Sequence, residues 1–311
     1  MRSLIIHPFV LEEGIGYKAT GATRRVGLMA NGAPVLAGGG VAGIAWETGV
    51  LLGIQDAEPS AAASILGAPT GLVGTSAGAA VAAQISGGTS LQELYAAQLD
   101  DETGELFVEI DLASFGAMMA GATAQATSPE DARRRLGAIA LAADTPSVAA
   151  RRAVIRARLA IQNWGERSLR LTAVDAETGN LRIFDRDSGI DLVDAVMASC
   201  AVPGIWPTVE FDGHRYMDGG MRSGSNADIA AGSDPVLIIT PSTEEAPMGR
   251  AVPQVELDAL GPARVHVVYA DAASVGAFGT NPLDPTSRKP AAIVGREVGR
   301  RVAADVAAFW G

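Results

Sequence analysis

The sequence predicts an α/β fold: a central, mostly parallel sheet flanked by helices. Three observations point there. Short apolar runs bounded by glycine alternate with stretches of helical period. Two such runs, at 34–37 and 72–73, each lead through a glycine-rich turn into a helix. A strand–helix–strand order of this kind closes as a right-handed parallel unit. Residues 1–32 read as an irregular lead-in without a period, and 33–311 as one domain, because no linker rich in Pro, Gly and Ser divides them.

The elements follow in order. Residues 34–37 form a strand that Gly38-Gly39-Gly40 stops, and 43–54 repeats Ile44, Val50, Leu51 and Ile54 on one helical face. A polar connection over 55–60 leads toward the strand ending Leu72-Val73. Gly74-Thr75-Ser76-Ala77-Gly78 then turns into an Ala-rich helix over 77–85, closed by Gly87-Gly88. Residues from about 90 to 165 are a helical insertion. Within it, Ser128-Pro129-Glu130-Asp131 starts one helix with a capping Ser and a Pro at the first position. Thr145-Pro146 starts another, whose Arg151, Arg152, Arg156 and Arg158 read as a solvated face. Residues 169–174 and 181–184 form a hairpin, as do 209–211 and 215–217 about Asp212-Gly213. Strands at 236–240 and 265–269 and a long helix over 291–310 complete the chain.

Composition narrows the function. The 311 residues carry 24 Lys and Arg against 35 Asp and Glu, a net charge of −11. That field repels phosphate backbones, so nucleic acid is excluded as the main partner, and contact with an anionic membrane surface is expected to be transient at most. Cys200 is the single cysteine, so no disulfide forms within the chain; with only His7, His214 and His266 beside it, no zinc site is expected. Residues 1–8 lack the apolar stretch of a signal peptide, and glycines and Glu47 interrupt the apolar run 34–54. A cytoplasmic location follows as the expectation.

Three motifs carry chemistry. Gly74-Thr75-Ser76-Ala77-Gly78 is a G-x-S-x-G elbow, which exposes a serine hydroxyl on a strained strand-to-helix turn and needs glycine two residues to either side. Gly38-Gly39-Gly40-Val41-Ala42-Gly43, also between strand and helix, offers bare N–H groups to a developing oxyanion. The same residues satisfy G-x-G-x-x-G, so a dinucleotide-binding loop is an alternative. However, the acidic residue that fingerprint needs at the end of the second strand is missing, Asp56 and Glu58 falling earlier. Asp218-Gly219-Gly220 ends a strand with a carboxylate and a sharp turn.

In this order the three motifs resemble the patatin-like phospholipase family, and Ala198-Ser199-Cys200-Ala201-Val202-Pro203-Gly204 resembles its Ser/Ala-rich stretch running into Pro-Gly. The resemblance covers about 33–245. It implies a three-layer sandwich and a serine hydrolase of acyl-lipid carboxylic esters that uses a Ser–Asp dyad and an acyl-enzyme. By position, Ser76 is then the nucleophile and Asp218 the base. The N–H groups of Gly39, Gly40 and Ala77 form the oxyanion hole, and Gly38, Gly43, Gly74, Gly78, Gly219 and Gly220 are motif glycines. No metal or cofactor is implied, and the partner is an acyl-lipid or ester substrate. Ala42 departs from the family, which often has Arg or Lys there.

A histidine-dependent esterase is the other alternative. In hydrolase chain order only His266 follows the acid, and its apolar run suits a structural role. Cys200 reads as a buried filler. Phe107, Phe115, Met118 and Met119 read as core, with an acyl-chain channel as the minority reading.

Overall fold

The strands in chain order are β1 (Ala33–Leu36), β2 (Leu72–Thr75), β3 (Leu169–Asp175), β4 (Leu181–Phe184), β5 (Val209–Phe211), β6 (His214–Asp218), β7 (Val236–Thr240), a detached ribbon of β8 (Glu245–Ala246) and β9 (Gly249–Arg250), and β10 (Val265–Tyr269). This computed structural model describes residues 31–68, 71–102, 104–108, 112–246 and 249–311; most of the lead-in, His7 included, lies outside them. One sheet has the order β10-β7-β1-β2-β3-β6-β5, with β4 added to β3. Neighbours from β10 to β3 are parallel, and the β3–β4, β3–β6 and β5–β6 pairs are antiparallel. The mostly parallel α/β sheet and both hairpins agree with the sequence reading. Asn31, two residues before β1, bridges Asp234.

Side-chain alternation explains why both faces are covered. Leu36, Leu237 and Ile239 face one core, while Val35, Val236 and Ile238 face another closed by Ala227, Ala230, Val252 and Leu260. The helices are α1 (Gly40–Ala57), α2 (Pro59–Leu66), α3 (Ala77–Ser86), α4 (Leu91–Leu99), α5 (Leu112–Ala124), α6 (Pro129–Ala142), α7 (Val148–Arg158), α8 (Leu192–Ser199), α9 (Gln254–Ala259), α10 (Ala272–Phe278) and α11 (Arg288–Trp310). Among the described residues, no helix is long and apolar enough to cross a membrane.

Helix α1 is not the one-faced helix that its period predicts. Every residue from Val41 to Ile54 is buried, because α3 and the sheet cover one side and α11 the other. Even Glu47 is fully buried, and burial holds its carboxyl well above the usual range. Helix α11 approaches α1 backbone to backbone: a Cβ on Gly49 would lie 2.3 Å from the Ala292 carbonyl oxygen, and one on Gly299 2.1 Å from that of Val50. The polar connection expected over 55–60 shrinks to Glu58, because Pro59 at the first position starts α2. Helices α4 to α7 lie between β2-α3 and β3 in the chain. Ser128 caps α6 as read, whereas α7 is capped by Ser147 rather than started at Thr145-Pro146.

Candidate active site

The sheet register brings the elbow and the acid together. Thr75 of β2 pairs with Thr172 of β3, and the next β3 residue, Ala173, pairs with Asp218 of β6. Ser76 directly follows β2 and caps α3 with φ 53° and ψ −111°, a strained conformation for a residue with a side chain. The flanking glycines are required by contact. A Cβ on Gly78 would lie 2.1 Å from the Leu36 carbonyl oxygen, and one on Gly74 2.8 Å from the Ala79 nitrogen.

Neighbours hold the strained turn. Ser76 N–H donates to Ser199 Oγ at 2.9 Å, and Cys200 Sγ donates to the Ser76 carbonyl at 3.1 Å. Both come from the end of α8, in the stretch running into Pro-Gly, and Asp218 N–H donates to Ala201 O at 2.9 Å. Asn226 ties the two halves of the site together. Its Nδ2 donates to Thr75 Oγ1 (3.1 Å), Thr172 Oγ1 (3.4 Å), Gly219 O (3.2 Å) and Ser223 O (2.7 Å). Cys200 is 5% exposed, and burial pushes its thiol up to about 11, as suits a filler.

Asp218 is 2% exposed and Ser76 8%. The Asp218 Oδ1 accepts the Gly220 N–H at 2.7 Å. Oδ2 is buried and completes no hydrogen bond, although the Ser76 hydroxyl is close enough to pull the carboxyl's affinity for protons down. Burial outweighs that pull, the Gly220 bond and the charge of Arg151, and raises the Asp218 pKa to about 7.

The N–H groups of Gly39, Gly40 and Ala77 have no acceptor among the described residues, and two of these residues open helices, where no intrahelical partner exists. Gly38 N–H is committed to Gly224 O (2.8 Å) and Gly78 N–H to Ala37 O (2.9 Å). Gly40 has φ 67°, and a Cβ there would lie 2.8 Å from the Pro282 carbonyl oxygen. Gly43 packs its Cα face against Ala77, and Gly219 against Thr172.

Ser76, Ala77 and Gly40 line a pocket of about 20 Å³, with Val41, Cys200, Trp206 and Leu283 among its other walls. That is room for roughly one water molecule. Val41, Ile44 and Arg158 are shared with an adjoining cleft of about 330 Å³. A cleft of about 810 Å³ passes Gly38, Gly220 and Met119.

Several expectations are corrected here. The arginines of α7 are not one solvated face. Arg151 is 3% exposed and stacks over Trp206, 3.7 Å from the ring centroid. Arg158 pairs with Glu105 through contacts of 2.6 and 2.5 Å. Only Arg152, paired with Asp194, and Arg156 lie toward solvent. Sequence reasoning missed Arg151, yet Arg151, Val154, Ile155 and Arg158 recur at helical spacing, which marks an inward stripe. Phe107 is 64% exposed rather than core, while Met118 and Met119 are partly buried against Leu136 and Met217.

The alternatives lose their residues. His266 lies on the edge strand β10, separated from β2 by β7 and β1, with its ring against Phe309. His214 pairs with Asp175 at 2.8 Å, and among the described residues no histidine lines the Ser76 pocket. Asp56, one of the two acids weighed for the dinucleotide pattern, is in α1 and pairs with Arg296 and Arg300.

Two solved structures are similar at 13% identity. VipD from Legionella pneumophila matches with a TM-score of 0.39 over 86% of this chain and 66% of its own. The type III effector protein ExoU matches with a TM-score of 0.38 over 89% and 53%. This chain therefore spans just under two thirds of one and about half of the other. No curated protein matches it. The patatin-like phospholipase model aligns with residues 35–231, from β1 through the elbow and Asp218. That is more than half of the 311 residues, and by this match the chain belongs to the patatin-like phospholipase family.

Proposed function

We propose that this chain hydrolyses carboxylic esters of acyl lipids, with Ser76 as nucleophile, Asp218 as base and the Gly39, Gly40 and Ala77 amides as the oxyanion hole. The observation that carries the reading is a strained, pocket-lining serine beside a buried carboxylate with one uncommitted oxygen. Asp218 Oδ2 takes the hydroxyl proton as Ser76 Oγ attacks the ester carbonyl. The amides hold the tetrahedral oxyanion, whose stabilisation by a single donor is worth about 2.7–4 kcal/mol elsewhere. Collapse breaks the bond to the alcohol, which leaves with the proton from Asp218. Asp218 then takes a proton from water, whose oxygen attacks the acyl-enzyme; the acid departs and Ser76 regains its proton.

A pKa of about 7 suits this work, since a base is most effective when its pKa lies near the operating pH. A fluorophosphonate probe is expected to label the wild-type chain and not Ser76→Ala. A folded wild type that resists labelling would remove Ser76 as nucleophile. The pH profile tests the base separately. Only ionised Asp218 accepts a proton, so kcat/KM on a soluble ester should rise about tenfold per pH unit below 7 and level off above it. A profile flat from pH 5 to 9 would exclude Asp218.

A further inference from the structure

In the reaction just described Arg151 acts only at a distance, through its charge on Asp218, yet its placement is costly. Helix α7 turns this guanidinium inward, where Nε and Nη1 are buried and donate to nothing. Its neighbour Arg158 is paired with both oxygens of Glu105. Arg288, also near Glu105, directs its donors at Gln98 and the carbonyls of Ala97 and Asp100. Arg151 keeps two buried nitrogens without an acceptor and pairs with no carboxylate through a hydrogen bond, and it lines the same small pocket as Ser76, Gly40 and Ala77. The Trp206 ring fixes the plane of its fork. Burial lowers its pKa only to about 10, so it stays charged at neutral pH.

A buried cation with free donors, in a chain of net charge −11, is a receptor for an anion brought by the substrate. A planar fork matches two oxygens of a phosphate, which no neutral ester can offer. We infer that Arg151 binds the phosphodiester of a glycerophospholipid whose acyl ester lies at Ser76, and so selects phospholipids over neutral esters. The assignment rests on the reading of Ser76 as nucleophile. It places substrate selection on the helical insertion, apart from the loops that carry out the chemistry.

The test compares kcat/KM on monomeric dihexanoylphosphatidylcholine and on p-nitrophenyl hexanoate, which share an acyl chain. In Arg151→Met the ratio of phospholipid to neutral ester should fall at least tenfold. Arg151→Lys, which keeps charge without the fork, should fall between the two. Arg151 also helps keep Asp218 ionised, so its loss should move the pH profile upward on both substrates alike and cancel in the ratio. A ratio unchanged within threefold, in variants that still label with fluorophosphonate, overturns the assignment. Should Arg151→Met fail to fold, the wild type decides: glycerophosphocholine should slow its labelling where equimolar glycerol does not, and equal labelling rates overturn the proposal. A wild type that neither labels nor hydrolyses either ester refutes the Ser76 reading instead.

Discussion

Asp218→Asn is expected to lower kcat/KM by about 10²–10⁴-fold, the range for losing a general base. The asparagine Oδ1 can still accept the Gly220 N–H, so the turn survives, but the side chain can no longer take a proton from Ser76. Stability should move the other way. The wild-type carboxyl titrates at about 7 in the fold against an ordinary 3.8, so its contribution is fully present below about pH 4 and is lost as pH rises to 7. Asparagine has no such titration. The melting temperature of the variant relative to wild type should therefore climb between pH 4.5 and 7.5. Activity within tenfold of wild type would show that another group takes the proton.

The glycines between α1 and α11 carry the second large effect. Replacing Gly by Ala inside a helix normally gains about 1 kcal/mol through propensity. Here the new methyl at position 299 would lie 2.1 Å from the Val50 carbonyl oxygen, and at position 53 it would lie 2.2 Å from that of Arg296. Backbone cannot rotate aside as a side chain does, so the helices must part and open the packing around Trp46 and Val298. Overpacking of this kind costs about 1–3 kcal/mol or more. Gly299→Ala should lose about 2 kcal/mol net in denaturant unfolding, and Gly53→Ala with Gly299→Ala should leave little folded protein, given total stabilities of about 5–15 kcal/mol. An unchanged denaturation midpoint would mean that α11 rests on α1 more loosely than these distances require.

What could be read from the sequence was local. The elbow, the glycine loop, the acid turn and both hairpins are short patterns whose geometry their own residues dictate. Helix α1 defeated its pattern because a helix covered on two sides needs no polar face. Ser199 stood out only as part of a stretch and Asn226 not at all, since each acts through a hydrogen bond to an element far along the chain: 123 residues for Ser199 to Ser76, 151 for Asn226 to Thr75. Arg151 was legible in principle, as an arginine on the inward stripe of α7, but charge suggested solvent more strongly than spacing suggested burial. Phe107 misled in the opposite sense, an aromatic ring left outside.

The Asn226 amide has a consequence for motion. By gripping the end of one strand, a hydroxyl on the next and the carbonyl beside Asp218, it makes the Ser76 elbow and the Asp218 turn parts of one stiff body. The spacing of the Ser76 elbow and the Asp218 turn is thereby insulated from motion elsewhere in the fold.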